Sequence, residues 1–432
     1  MNLKRILCNK IIYELRRKEI GIIVGPRQVG KTTLLKEVET YCKKQKIKYK
    51  YFNLETPADA NYFGRSTQDI LTDISNKNKV VLIDEFHYLP NATKLFKSVY
   101  DSFKGIKIYA SGSSAIEMHK HLKESLAGRR LVYRVYSLSF SEWLPSKKSN
   151  IKLPKDIHSN VSTQSHNIFK KYLNEYIIYG GMPGLVHERN KENRKRLLID
   201  LVSTYIQKDI KALLREEDIL SFNRLINLLA GQEGGLLSEN SISQTLNYSL
   251  RQVRKDIAIL SQMFILDVLK PFFTNHSREL KQTNKIYYFD SGIRNAILSD
   301  FRDLNNRQDK GVLQESFVLH EIQKNIKISQ EIYYWRTREK FEVDFILVQD
   351  RIPIPIEVKS KIFGREVPSG IKNFIDKYPE TEMAVVLNND IKDIIRYKNK
   401  KVVFFPHYYA MFIPELYNDK KIIPSQNFCF WI

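Results

Sequence analysis

The stretch IGIIVGPRQVGKTTLL, residues 20–35, decides how the first third of the chain folds. Ile20–Val24 is an apolar run of strand length, and an apolar helical pattern begins at Leu34. Between them stand Gly25, four residues, and then Gly30-Lys31-Thr32. That is the Walker A spacing in its required strand, loop and helix setting. Glycines let backbone N–H groups converge on phosphate oxygens, and the helix N-terminus adds the positive end of its dipole. The expected nucleotide cradle is therefore Gly25, Pro26, Arg27, Gln28, Val29, Gly30, Lys31, Thr32 and Thr33. Lys31 is expected on the β- and γ-phosphates of ATP, and the Thr32 hydroxyl on Mg²⁺.

Working outward, KVVLIDEFHYLP (79–90) is an apolar strand ending in Asp84-Glu85. Its run of apolar residues predicts a central parallel strand buried on both faces. Asp84 would hold Mg²⁺ through water, and Glu85 would polarise the attacking water. A third strand, IKIYASGSS (106–114), ends in serines, of which Ser111 or Ser113 would sense the γ-phosphate. KYKYFNLE (48–55) supplies a further strand, and ligands collect at the C-terminal ends of such strands. In SLAGRRLVYRVYSLSFSEWL (125–144), Arg129 or Arg130 is a candidate arginine finger reaching a neighbouring subunit, which would make the protein a homo-oligomer. Surface charge is the plainer reading of the same residues.

The bulk composition is compatible with this. The chain has 432 residues, enough for two to four domains. Lys plus Arg number 70 against 48 Asp plus Glu, a formal net charge of +22, which favours polyanionic partners. Cys8, Cys42 and Cys429 form no CxxC pair or zinc spacing, so free thiols in a reduced compartment are expected. His119 and His121 read as surface residues. The N-terminal MNLKRILCNKIIYELRRKEI reads as a basic amphipathic helix without a signal-peptide core, and no apolar run approaches membrane-spanning length. A cytoplasmic protein without a membrane partner is expected.

Residues 145–168 are polar and turn-rich, and helical patterns follow at 167–186 and 195–214. They read as a lid over the nucleotide with GGMPG as its hinge, or as helices with an ordinary stop. Residues 221–290 fit a winged helix: three helical segments, then strands at FILDVLKPFF and KIYYFD. The third helix, LRQVRKDIAILSQ, is capped by Ser249 and has Val253, Ile257 and Leu260 on one stripe, with Arg251, Arg254 and Lys255 opposite. Such a module either enters a DNA groove or packs within a larger ATPase.

The last region carries a second group of charges. In the helix VLQESFVLHEIQKNI (312–326), Glu315 shares a face with Val318, Leu319 and Ile322. The strand FEVDFILV (341–348) holds Asp344 among apolar residues, and IPIPIEVKSK (352–361) places Glu357 and Lys359 on one face of the next strand. A carboxylate on an apolar surface needs a cation, a metal or a donor.

This order resembles the restriction-endonuclease-like nucleases, with their D…(D/E)-x-K signature. The resemblance implies that Asp344 and Glu357 bind Mg²⁺, that Glu315 completes the site, and that Lys359 activates water. The residue before Asp344 is Val343, where the pattern has proline. The whole chain resembles prokaryotic AAA-like P-loop ATPases carrying a winged helix and a C-terminal restriction-endonuclease-like domain. GPRQVGKTTLL, VVLIDEFHYLP, SGSS, LAGRR, YGGMPG and EVDF…IEVKS carry that likeness. It implies an α/β fold in four parts: an AAA-like core over 1–145, a linker and helical lid over 146–216, a winged helix over 217–295 and an endonuclease-like domain over 296–432. It implies an ATPase associated with DNA, whose C-terminal domain either cleaves DNA or serves as a binding scaffold.

Overall fold

The computed structural model describes residues 4–77, 79–89, 92–102, 105–112, 126–147, 152–204, 218–273, 283–362 and 364–418. Its contacts divide the chain into two compact units. The first comprises Met1–Leu138 with Met182–Val186 and Lys255–Ile265; the second comprises Ser139–Gly181, His187–Arg254 and Leu266–Ile432.

In the first unit, β1 (Ile20–Val24), β2 (Tyr49–Asn53), β3 (Val80–Asp84), β4 (Lys107–Gly112) and β5 (Arg130–Arg134) form one sheet. Its order is β2-β3-β4-β1-β5 and every pairing is parallel. The three inner strands β1, β3 and β4 are buried along their whole length, whereas β2 and β5 at the edges are half-buried. Helices cover both faces of such a sheet, which is why its inner strands read as continuous apolar runs. One face packs Ile22, Val81, Ile83 and Ile108 against Phe52, Phe96 and Val99. Each fully buried side chain of this size contributes about 1.5–3 kcal/mol. The phosphate-loop helix is Lys31–Lys44, and its Leu34, Leu35 and Val38 are fully buried.

In the second unit, helix Thr163–Tyr179 stops at Gly180, and helix Lys191–Thr204 follows. The remainder of the helical pattern expected over 195–214 lies outside the described residues. Helices Asp218–Gly231 and Glu239–Leu246 lead to Leu250–Gln262, the helix along which the two units divide after Arg254. The Ser249 hydroxyl accepts from the Gln252 N–H at 3.1 Å, as a cap should. Next comes an antiparallel hairpin of β6 (Leu266–Leu269) and β7 (Lys285–Tyr288).

The C-terminal sheet has six strands: β8 (Gln330–Arg336), β9 (Glu342–Gln349), β10 (Ile352–Val358), β11 (Met383–Asn388), β12 (Asp393–Tyr397) and β13 (Lys400–Pro406). Their order is β12-β13-β11-β10-β9-β8. Strands β8, β9 and β10 form an antiparallel meander, and helix Ser369–Lys377 then crosses to β11, which pairs parallel with β10. Strand β10 tolerates Pro353 and Pro355 because its pairing to β11 begins only at Ile356. At these two positions the missing N–H groups therefore cost no bond to β11. The segment after β6 is tied to this sheet: Phe272 N–H donates to the Tyr334 carbonyl at 2.6 Å. The Phe272 ring packs with Trp335, Phe374 and Tyr378. No helix among the described residues is long and apolar enough to cross a membrane.

Candidate functional site

The phosphate loop leaves β1 at Gly25, whose backbone φ is +156°, and enters the helix through Gly30 at φ +96°. A Cβ on Gly25 would stand 2.3 Å from the Val135 carbonyl oxygen, so the close passage of the loop beside the end of β5 requires glycine. Lys31 is 5% exposed, and its ammonium donates to the carbonyls of Gly25 at 3.0 Å and Pro26 at 2.7 Å. Pro26 and Val29 are buried, while Arg27, Thr32 and Gly30 are half-buried and Gln28 and Thr33 are exposed. The loop thus presents its open side at the N-terminus of a fourteen-residue helix.

Strand β4 lies between β1 and β3, and the register Ile83↔Ala110 carries Asp84 beside Ser111. The Ser111 hydroxyl donates to Asp84 Oδ1, and the Tyr51 hydroxyl donates to Asp84 Oδ2 at 2.9 Å. Ser111 and Asp84 are buried and Tyr51 is half-buried. Burial, followed by the adjacent Asp84 charge, pushes the Tyr51 phenol far above its usual range, so Tyr51 stays a donor. Glu85 takes the left-handed conformation at φ +55°, and its Oε2 lies 3.2 Å from His87 Nδ1. Burial pushes Glu85 upward, but contact with His87 and the positive charges of Lys31 and Arg27 outweigh it. Its carboxyl is held below the usual range and stays ionised. Of the two serines read as γ-phosphate sensors, Ser111 stands in this group, while Ser113 lies outside the described residues. Arg129 Nε donates to Asp101 Oδ1 at 2.9 Å on the surface of its own unit.

Sequence reasoning missed three supports of this site. Arg5, from the turn before the first helix, donates to the carbonyls of Val29 and Tyr136, each at 2.8 Å, and so braces the loop. Tyr51 bonds Asp84, and His87 stands beside Glu85. His87 is two residues after Glu85 and could have been suspected; nothing local to Arg5 or Tyr51 announces its role.

The second group lies in the C-terminal sheet. Continuing the β9–β10 register one pair beyond Phe345↔Ile356 sets Asp344 opposite Glu357, on one face. Asp344 is 8% exposed and Glu357 5%. Asp344 Oδ2 accepts from the Val358 N–H at 2.8 Å, and Lys359 Nζ stands 2.6 Å from Glu357 Oε1. The other Glu357 oxygen, Oε2, is buried without a hydrogen-bond partner among the described residues. Glu315, on helix Lys310–Asn325, accepts from the Tyr287 hydroxyl at 3.4 Å.

Burial pushes all three carboxyls up. The Asp344 charge adds to the rise at Glu315 and Glu357, both of which reach about 8. The four residues named from the sequence are therefore brought into one electrostatic group. Among the described residues, however, no three His, Cys, Asp or Glu side chains are arranged to hold a metal ion. Lys285 and Tyr287, both on β7, belong to the same surroundings: Lys285 pairs with Glu342 and moderates Asp344. Neither was singled out from the sequence, because their hairpin is distant along the chain.

Comparison with known proteins follows this division. Residues 17–144 match the family model described as "AAA domain". Those residues hold the five-stranded parallel sheet and the phosphate loop described above. Residues 170–307 and 310–408 match two models, each described as a domain of unknown function (DUF8612 and DUF4143). An uncharacterized protein of Methanocaldococcus jannaschii is 25% identical over 395 residues, covering 89% of this chain and 86% of the relative. An uncharacterized protein of Mycobacterium tuberculosis is 23% identical over 359 residues, covering 82% and 74%. Among solved structures, the Aeropyrum pernix ORC1 protein in complex with DNA aligns with a TM-score of 0.30 and 12% identity, over 68% of this chain and 91% of that one. The AMPPCP-bound DnaA of Aquifex aeolicus aligns with a TM-score of 0.27 and 14% identity, over 59% and 87%.

Proposed function

We propose that the protein binds and hydrolyses ATP with Mg²⁺ at the phosphate loop, and that it acts on or with DNA. The observation that carries the first part is the juxtaposition of Lys31, Asp84, Glu85 and Ser111 at the C-terminal ends of the inner parallel strands. The glycine-only passage at Gly25 and the N–H groups of the following helix suit a triphosphate chain. In this reading Lys31 exchanges its loop carbonyls for phosphate oxygens, and Thr32 and Asp84 hold the ion. Asp84 already has Ser111 and Tyr51 on its oxygens, which suits contact through water. Ionised Glu85 orients the attacking water, and Ser111 links the γ-phosphate position to Asp84. Arg129 serves as a finger in a homo-oligomer only by giving up Asp101. Comparing phosphate release by the wild type and Lys31→Ala tests this: a loss of turnover is expected, and equal rates would sink it.

DNA association is supported by the net charge of +22 and by the three-helix and hairpin arrangement, which has the order of a winged helix. Arg251, Arg254 and Lys255 are exposed on its third helix. Binding should weaken steeply with salt, since released counterions supply the affinity. Affinity unchanged between low and high salt would count against it.

A second reading concerns the C-terminal sheet, favoured by the helix, three-strand meander, helix and parallel-strand order with Asp344 opposite Glu357. In it this region is a restriction-endonuclease-like domain. The unpartnered Glu357 Oε2 leaves an acceptor for a cation, while Lys359 already occupies the other oxygen. Asp344 and Glu357 would then hold Mg²⁺ or Mn²⁺, with Glu315 beside them, and Lys359 would turn to the attacking water. The competing outcome is a nucleotide-dependent switch whose C-terminal domain only binds. Labelled single- and double-stranded DNA, incubated with either metal and with or without ATP, separates the two: cleavage that Lys359→Ala abolishes supports the nuclease, and no cleavage supports the switch.

A further inference from the structure

A cavity of about 300 Å³ opens in the second unit. Its walls come from helix Thr163–Tyr179, helix Lys310–Asn325 and the segments that follow β10, β11 and β13. Three lysines line it, Lys170, Lys310 and Lys361, against one acidic residue, Asp390. Three positive charges less one negative leave a formal surplus of two. Asp390 is already engaged by Lys170, and Lys310 donates to Asn305 Oδ1 at 2.9 Å.

His407 lines the same cavity and is 1% exposed. Neither of its ring nitrogens has a hydrogen-bond partner among the described residues. A buried imidazole with both nitrogens unpaired is an expensive arrangement, and such groups ordinarily find a partner. Burial holds the His407 pKa down to about 3, with Lys310 and Lys170 acting in the same direction and Asp390 against it. The ring is therefore neutral and offers one donor and one acceptor.

The amide wall is already ordered. Ser360 Oγ donates to Gln314 Oε1, Gln314 Nε2 donates to Asn389 Oδ1 at 3.3 Å, and Asn389 Nδ2 donates to the Ser360 carbonyl. Leu173 and Tyr408 add apolar surface. A small concave site with a few convergent polar groups on an apolar floor is the usual form of a ligand pocket, and its volume is at the low end of that range.

We propose that this cavity binds a terminal phosphomonoester, on a molecule no larger than a nucleoside monophosphate or at the 5′ end of a nucleic-acid strand. A phosphomonoester carries about −1.5 to −2 charges at neutral pH, which complements the surplus of the three lysines. Lysine serves phosphate as a point charge that needs no fixed fork geometry. His407 supplies a fixed neutral contact whose N–H can donate to a phosphate oxygen. None of Lys31, Glu315, Asp344, Glu357 and Lys359 is among the residues that line it.

The test is calorimetric titration of the full chain with AMP, with adenosine, and with a short oligonucleotide bearing a 5′-phosphate or a 5′-hydroxyl. Binding of AMP but not adenosine, or preference for the 5′-phosphate, is the expected result; the first assigns a free nucleotide and the second a strand end. Lys361→Gln and Lys310→Gln should each weaken that binding by about tenfold or more, the worth of one charge-assisted hydrogen bond. Lys31→Ala should leave the affected component unchanged, which separates it from the phosphate loop. His407→Gln should weaken binding as well, and the rim lysine variants keep the test decisive where that core change impairs folding. Absence of any phosphate-dependent binding, or binding that both lysine variants leave intact, would overturn the proposal.

Discussion

The phosphate loop and the C-terminal carboxylate group place charge in opposite ways. In the first, the ligand-facing groups are mostly backbone, and the side chains have fixed partners: Lys31 on two carbonyls, Asp84 on two hydroxyls, Glu85 beside His87. In the second, three buried carboxyls repel one another, with Lys359 against Glu357 and Lys285 moderating Glu315 and Asp344. The loop is set by glycine conformations and strand register before any ligand arrives. The carboxylate group is set by cost: its acids are pushed toward neutrality and would gain from a cation. The first arrangement is preorganised for an anion; the second is poised for a positive charge.

The largest effect that separates the two regions is expected at Lys31. Lys31→Ala should slow ATP turnover by about 10²-fold or more, the scale of removing one transition-state donor. Thermal unfolding and the response of the C-terminal region to metal should change little. A Lys31→Ala protein that also loses DNA cleavage would show that the regions are coupled. The converse variant, Asp344→Asn, is expected to remove any Mg²⁺-dependent cleavage while leaving ATP turnover within about twofold of wild type, since sites that share no partners behave additively. Retained cleavage would exclude Asp344 from the chemistry.

Two glycine substitutions sharpen the same contrast. A Cβ at Gly25 would meet the Val135 carbonyl oxygen at 2.3 Å, and one at Gly370 would meet the Glu342 carbonyl oxygen at 2.0 Å. Each alanine variant should lose roughly 1–3 kcal/mol of stability by overpacking, read as a lower denaturant midpoint. Gly25→Ala should also lose nucleotide binding, whereas Gly370→Ala should keep full ATP turnover per folded molecule. Equal nucleotide affinity in both would mean that the loop tolerates displacement.

The smallest expected effect is a pH dependence. Burial pushes the Asp309 carboxyl up, but hydrogen bonds from Arg307 and Arg294 outweigh it and hold the group well below the usual range. Because the folded value is depressed, this stabilisation is complete above the unfolded value near about 4 and is lost as the pH falls below it. Asp309→Asn should lower the melting temperature at neutral pH and flatten the decline between about pH 5 and 2. An unchanged acid profile would assign that decline to other carboxylates.

How much could be read from the chain differed between the regions for a physical reason. The phosphate loop is local: one strand, one turn and one helix in sixteen residues specify it, and Asp84-Glu85 closes a second contiguous strand. The buried runs of β1, β3 and β4 marked the centre of the parallel sheet because parallel strands are covered on both faces. Arg5 and Tyr51 were not legible, since their roles depend on which backbone carbonyl or carboxylate the fold brings near. In the C-terminal region Glu315, Asp344, Glu357 and Lys359 stood out as charges on apolar faces. Lys285 and Tyr287 did not, because β7 joins them only through tertiary packing. The His407 cavity left no pattern in the sequence, as its lysines are drawn from three distant segments.

The most direct test of the central claim uses Glu85→Gln. The side chain keeps its size and loses its charge, so binding of ATP with Mg²⁺ should persist near the wild-type affinity while phosphate release falls by about 10²-fold or more. Undiminished phosphate release by Glu85→Gln would contradict the account.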